Sequence, residues 1–213
     1  MNKNEKFVIT INRELGSGGR TVGEKLAAKL GVRFYDKALI KALEEKYNLT
    51  VEEIENLKGR NHSWWAEFAR GFILAEKSKA MYYNEISALD EPDVLTTDEM
   101  YKTEKKILSD IAEEESCIIT GRLGFSVFAN HPNHMSILIQ APMEQRIQRM
   151  MKKQMLSRKA AEEVIKKVDK MRERYVNKYA KTSRYDTRNY DLVISMAGHT
   201  EDEVADLIMQ YIK

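Results

Sequence analysis

The chain has 213 residues, 43% of them hydrophobic and 32% charged, with 10 glycines, 3 prolines and a formal net charge of +2. That length suits one sizeable α/β domain carrying insertions, and that composition excludes the disordered class. Cys117 is the single cysteine, which excludes an intrachain disulfide and a CxxC metal site. No apolar run is long enough to cross a bilayer, and the polar start runs directly into a strand, so a cytoplasmic protein is the expectation.

Phe7 to Ile11 is short, apolar and β-branched, and reads as a buried first strand. Thr21 to Leu30 has helical spacing, with Val22, Leu26 and Leu30 on one face and Gly31 as its stop. Val32 to Tyr35 is a second strand and Lys37 to Tyr47 a second helix. From Asn48 to about Asp98 the pattern is helical and irregular, around Trp64, Trp65, Phe68 and Phe72. A helix over Glu99 to Glu115 leads to a third strand at Cys117 to Thr120, and Ser136 to Gln140 is a fourth. Met143 to Lys153 is helical, long basic helices follow, and Asp191 to Ser195 is the last strand. Glu201 to Ile212 forms an amphipathic final helix. This alternation implies crossover connections, a parallel sheet with helices on both faces, and ligands at the carboxyl ends of the strands.

Charge is unevenly spread. Lys152 to Arg184 holds 12 Lys/Arg against 4 Asp/Glu, a local +8, so the remainder carries −6. Such a segment suits an anionic partner, be it phosphate, nucleic acid or counterions.

Between the first strand and the first helix stands Glu14-Leu-Gly-Ser-Gly-Gly-Arg-Thr. A Walker loop reads G-x-x-x-x-G-K-[ST]. Here Gly19, Arg20 and Thr21 fill its last three places, and Glu14 stands where its first glycine would be. Gly16, Ser17, Gly18 and Gly19 let backbone N–H groups turn toward one anion, at the positive end of the helix. Arg20 can clamp phosphate oxygens in a fork, and the Thr21 hydroxyl is placed for Mg²⁺. A glycine-rich turn that merely caps a helix is the plainer alternative.

Ile11 to Arg20, Phe34-Tyr-Asp-Lys, Gly121-Arg-Leu-Gly-Phe-Ser-Val-Phe and Ala141-Pro-Met-Glu-Gln-Arg-Ile-Gln-Arg together resemble the cytidylate-kinase-like family of P-loop proteins. The resemblance extends over nearly the whole chain, most weakly from Thr50 to Asp98. It implies a three-layer α/β/α P-loop fold with a five-stranded parallel sheet in one domain, 1–213. A substrate-binding insertion falls at about 48–98 and a helical lid at about 154–185. It implies transfer of a phosphoryl group from ATP, with Mg²⁺, to a small phosphate-bearing acceptor such as a nucleoside monophosphate. Carried over by position, Arg122 is expected at the acceptor phosphate. Arg146 and Arg149 match the Arg-x-x-Arg that opens the lid and touch the nucleotide. Asp169, Arg172 and Arg174 resemble the stretch that closes over the phosphates. Asp36 is expected on the acceptor side. Two departures bear on the acceptor: Leu123 stands where the kinases have aspartate, and the residues after Asp36 lack their serine/threonine and arginine.

Each of these residues also has a plainer reading. Asp36 serves equally well as a helix N-cap. Arg146 and Arg149 share a helix face, and charges so spaced usually face solvent. Trp64, Trp65 and the methionine-rich faces read as packing, and Cys117 as a small core residue. The four histidines show no metal-ligand spacing. Three functions follow. An ATP-dependent kinase leads, and a nucleotide- or anion-binding regulatory protein without catalysis is its rival. Nucleic-acid binding through the basic segment ranks below both, and no membrane partner is expected.

Overall fold

The computed structural model of the chain describes residues 1–36 and 98–212, without the side chains of Glu99 and Met100. It divides into two compact units, Met1–Tyr35 with Ser109–Lys213, and Asp36–Leu108. Of the second unit, the described residues are Asp36 and the opening turns of helix α2 (Asp98–Glu114). The expected helix at 37–47 and the tryptophan cluster lie outside the described residues.

Strand β1 (Val8–Arg13) runs through the middle of a five-stranded parallel sheet. Its neighbours are β3 (Cys117–Thr120) and β4 (His134–Gln140), flanked in turn by β2 (Arg33–Tyr35) and β5 (Leu192–Ser195), giving the order β2-β3-β1-β4-β5. Register is continuous along β1, from Val8 opposite Cys117 and His134 to Arg13 opposite Ile139.

Strand alternation sends Ile9 and Ile11 to one face and Thr10 to the other. On the first face, helices α1 (Gly19–Leu30) and α6 (Glu201–Tyr211) close the main core. There Val22, Leu26, Val204 and Ile208 pack with Ile9, Ile11, Ile118, Ile137 and Ile139. On the second face, the short helix α3 (Gly124–Val127) lies so close that a Cβ on Gly124 would meet the Thr10 side chain at 2.6 Å. Helices therefore cover both faces, which is the expected three-layer arrangement.

The helix ends show why the elements stop where they do. Gly31 takes a left-handed φ of 67°, and its N–H reaches back to the carbonyls of Ala27 and Ala28. Thr200 and Glu203 form a reciprocal capping box at the start of α6. Four details differ from the sequence reading. Helix α1 starts two residues earlier, at Gly19, because the loop's last glycine already has helical backbone. Strand β4 starts at His134, and α3 was not foreseen. The basic stretch after α4 (Met143–Gln154) forms one 23-residue helix, α5 (Arg158–Ala180), capped by Ser157, in place of several.

Candidate phosphate-binding site

The loop from Glu14 to Gly18 leaves the carboxyl end of β1 and enters α1 at once. Gly16 and Gly18 have φ of 79° and 91°, values that side-chain-bearing residues rarely adopt. Ser17 is fully buried inside the turn. Its hydroxyl donates to the Glu14 carbonyl at 2.9 Å and accepts from the Gly19 N–H at 3.3 Å. The loop is thus held from within by its serine, leaving the N-terminal end of α1 aimed at whatever the loop encloses. Arg20 pairs with Glu24 one turn on, at 3.2 Å, and Thr21 is half-buried in the same first turn.

Two arginines of α4 reach this loop. Arg149 pairs with Glu201 of α6, and its Nη2 lies 2.9 Å from where a Cβ on Gly18 would sit. Arg146 is 4% exposed and turns inward. Its Nε donates to the Leu15 carbonyl at 2.7 Å, and its guanidinium pairs with both Glu14, at 3.3 Å, and Asp169 of α5. The other Glu14 oxygen accepts from the Ala141 N–H at 3.0 Å.

Asp169 also accepts from the Leu15 N–H at 3.1 Å and from Arg184 at 3.4 Å. Arg172, one turn further along α5, donates to the Arg13 carbonyl at 3.2 Å, and Arg184 donates to the same oxygen. Arg184 is fully buried, and burial followed by the nearby Arg172 charge pulls its pKa below the usual arginine range. Arg174 is exposed; two residues on from Arg172, it lies on the far side of the helix.

After β3, Gly121, Arg122 and Leu123 all have left-handed backbone, with φ of 79°, 53° and 56°. Strain of this kind in side-chain-bearing residues clusters at ligand sites. The Arg13 guanidinium lies directly against Gly121, on the side where any Cβ would project. Leu123, in the place where the kinase pattern has aspartate, is buried and caps α3.

The structure thus brings the loop residues Gly16 to Thr21 together with Arg146, Arg149, Asp169 and Arg172. Arg122 stands on the neighbouring strand end. Asp36 follows β2 and belongs to the other unit. Four charged neighbours were not singled out from sequence: Arg13, Glu14 as an ion-pair partner, Arg184 and Glu201. Only Glu14 carried a local signal, as a carboxylate in a glycine position. Among the described residues there is no cluster of three or more His, Cys, Asp or Glu that could hold a metal ion. Cys117 is buried in β3, and burial, with Glu115 nearby, pushes its thiol up to about 12.

A family model described as "Cytidylate kinase-like family" matches residues 8–197, which takes in every strand, the loop and α5. The chain belongs to that family. Among solved structures, an uncharacterized protein from Eubacterium ventriosum is 24% identical, with 97% of this chain and 98% of that one covered and a TM-score of 0.69. It shares the fold. Shikimate kinase from Bacteroides thetaiotaomicron matches at 15% identity over 96% of each chain, with a TM-score of 0.48. TT1252 from Thermus thermophilus matches at 20% identity over 97% of each chain, with the same score. No functionally curated protein matches.

Proposed function

We propose that the chain is an ATP-dependent phosphotransferase acting on a small phosphate-bearing acceptor, with a nucleoside monophosphate as the leading candidate. One observation carries the reading: a glycine loop with two positive-φ residues enters a helix N-terminus while Arg149 lies against it and Arg172 ends beside the strand that feeds it. Membership of the cytidylate kinase-like family supports it.

In this reading the N–H groups of Gly16 to Thr21 hold the donor's phosphates, and Arg20 and Arg149 neutralise them. Bound ATP with Mg²⁺ supplies the transferable phosphoryl group, and the Thr21 hydroxyl is the protein's ligand to the metal. Arg122 orients the acceptor phosphate, and Arg172 stabilises charge on the phosphoryl group in flight, which is most of what such catalysis requires. Residues 154–185 act as the lid and 48–98 as the acceptor-binding insertion. The acceptor differs from CMP in the contact that the missing aspartate would make, since Leu123 is apolar and buried. A cytoplasmic setting belongs to the same reading; no helix among the described residues is long and apolar enough to cross a membrane.

A second reading, nucleotide binding without transfer, draws on the same buried Leu123 and on the Arg20–Glu24 pair. Incubation with labelled ATP, Mg²⁺ and a panel of nucleoside monophosphates and other small phosphorylated acceptors separates the two. Transfer to one acceptor, lost in Arg20→Ala and in Arg172→Ala, is the expected result. ATP-dependent thermal stabilisation with no transfer to any acceptor would establish the second reading instead.

A further inference from the structure

Glu14, Arg146, Asp169 and Arg184 form one charge-balanced group of two carboxylates and two guanidiniums, and it encloses the Leu15 peptide from both sides. Arg146 holds the Leu15 carbonyl at 2.7 Å, and Asp169 holds the Leu15 N–H at 3.1 Å. Arg146 itself is fixed between Glu14 and Asp169, and Glu14 is anchored to the Ala141 N–H at the end of β4. A glycine at position 14 could supply none of this. The carboxylate converts the start of the loop from a free turn into a joint that binds α4 and α5 to it.

We propose that Glu14 is a positioning residue. Through Arg146 and Asp169 it fixes α5 against the phosphate loop and thereby sets where Arg172, one turn along that helix, ends. The inference rests on the kinase reading for its catalytic consequence, but not for the mechanical one. Both Glu14 carboxylate oxygens are engaged, one by Arg146 and the other by the Ala141 N–H, so it acts through its partners.

The test compares wild type with Glu14→Gln and with the double variant Glu14→Gln/Arg146→Gln, which keeps the group charge-balanced while cutting the tie. Amide hydrogen exchange across residues 158–180 is read with and without ATP, alongside kcat and KM for ATP in whichever transfer assay succeeds. Exchange in α5 should quicken about tenfold in both variants while the strands keep their protection. The kcat should fall at least roughly tenfold with KM for ATP within about threefold, the signature of a lost alignment. Measured against Arg146→Gln alone, the double variant should lose no further kcat, because the two residues act as one unit. Unchanged α5 exchange in both variants overturns the proposal, whatever the activity. So does a loss of ATP binding and strand protection together, which would make Glu14 a general structural residue. If the wild type transfers nothing but α5 loosens as described, the joint stands and only the kinase reading fails.

Discussion

Under α1 and α6 the sheet is held by isoleucine, valine and leucine side chains, whereas at the carboxyl ends of the same strands it is held by buried ions. The two regions are continuous, since Ile11 and Arg13 are two residues apart on one face of β1. Apolar contact is undirected and tolerates exchange among residues of similar volume. The ion group is directed: Arg146 meets a carbonyl and two carboxylates, and every partner is lost with it. The difference follows from what each region must do. A core only has to exclude water. A loop whose backbone lies outside the sheet has to be held by something other than a ladder.

The comparison can be broken most severely at Arg146. Arg146→Met keeps the length of the side chain but leaves the Glu14 carboxylate half-buried without its cation and Asp169 with Arg184 alone. A loss of about 4 kcal/mol is expected by urea denaturation, as for one partner removed from a buried pair. A loss below about 1 kcal/mol would mean the ions are spectators. In the apolar region, Ile137→Ala empties a site that is fully buried in β4 and should cost about 3 kcal/mol. That variant should leave ATP-dependent stabilisation intact, whereas Arg146→Met should weaken it.

A third place sharpens the contrast, because it buries a titratable group at the amino end of the sheet. His134 sits at the start of β4, its Nε2 2.8 Å from the Thr10 hydroxyl and its ring against Phe128. Burial pulls its pKa down from 6.5 to about 4, against the opposing pull of Asp191 and with a small push from His131. Between those values the unfolded chain takes up a proton that the folded one refuses. Stability is therefore full above pH 6.5 and falls as pH drops toward 4, by roughly 2 kcal/mol. His134→Gln should flatten that part of the pH profile; an unchanged slope would assign it to other groups.

The loop was legible because its signal is local: strand, glycines, cation, hydroxyl and helix fall within a few consecutive residues. The five strands were legible for a similar reason, each being a short apolar run beside a turn or helix signal. The ion group was not. Its members meet across 131, 154 and 171 positions of sequence, and nothing in spacing reports such pairs. A basic run also reads as solvated whichever way its residues face. Arg172 and Arg174 are alike on the page, yet one ends on the Arg13 carbonyl and the other is exposed. Helix α3 escaped because four residues are too few to show a period.

The smallest expected effect separates two kinds of glycine. Gly31 and Gly18 both have left-handed backbone, but a Cβ on Gly31 would meet nothing within 4 Å, while one on Gly18 would meet Arg149 at 2.9 Å. Gly31→Ala should therefore cost only the backbone penalty, about 1 kcal/mol, and leave anion binding as it was. Gly18→Ala adds a collision with the guanidinium beside the loop, so ATP-dependent thermal stabilisation should disappear even where the fold survives. Differential scanning fluorimetry with and without ATP reads both variants. If Gly31→Ala lost ATP response as fully as Gly18→Ala, the loop's geometry would depend on the far end of α1. The division between a ligand-facing rim and a purely structural core would then have to be redrawn along that helix.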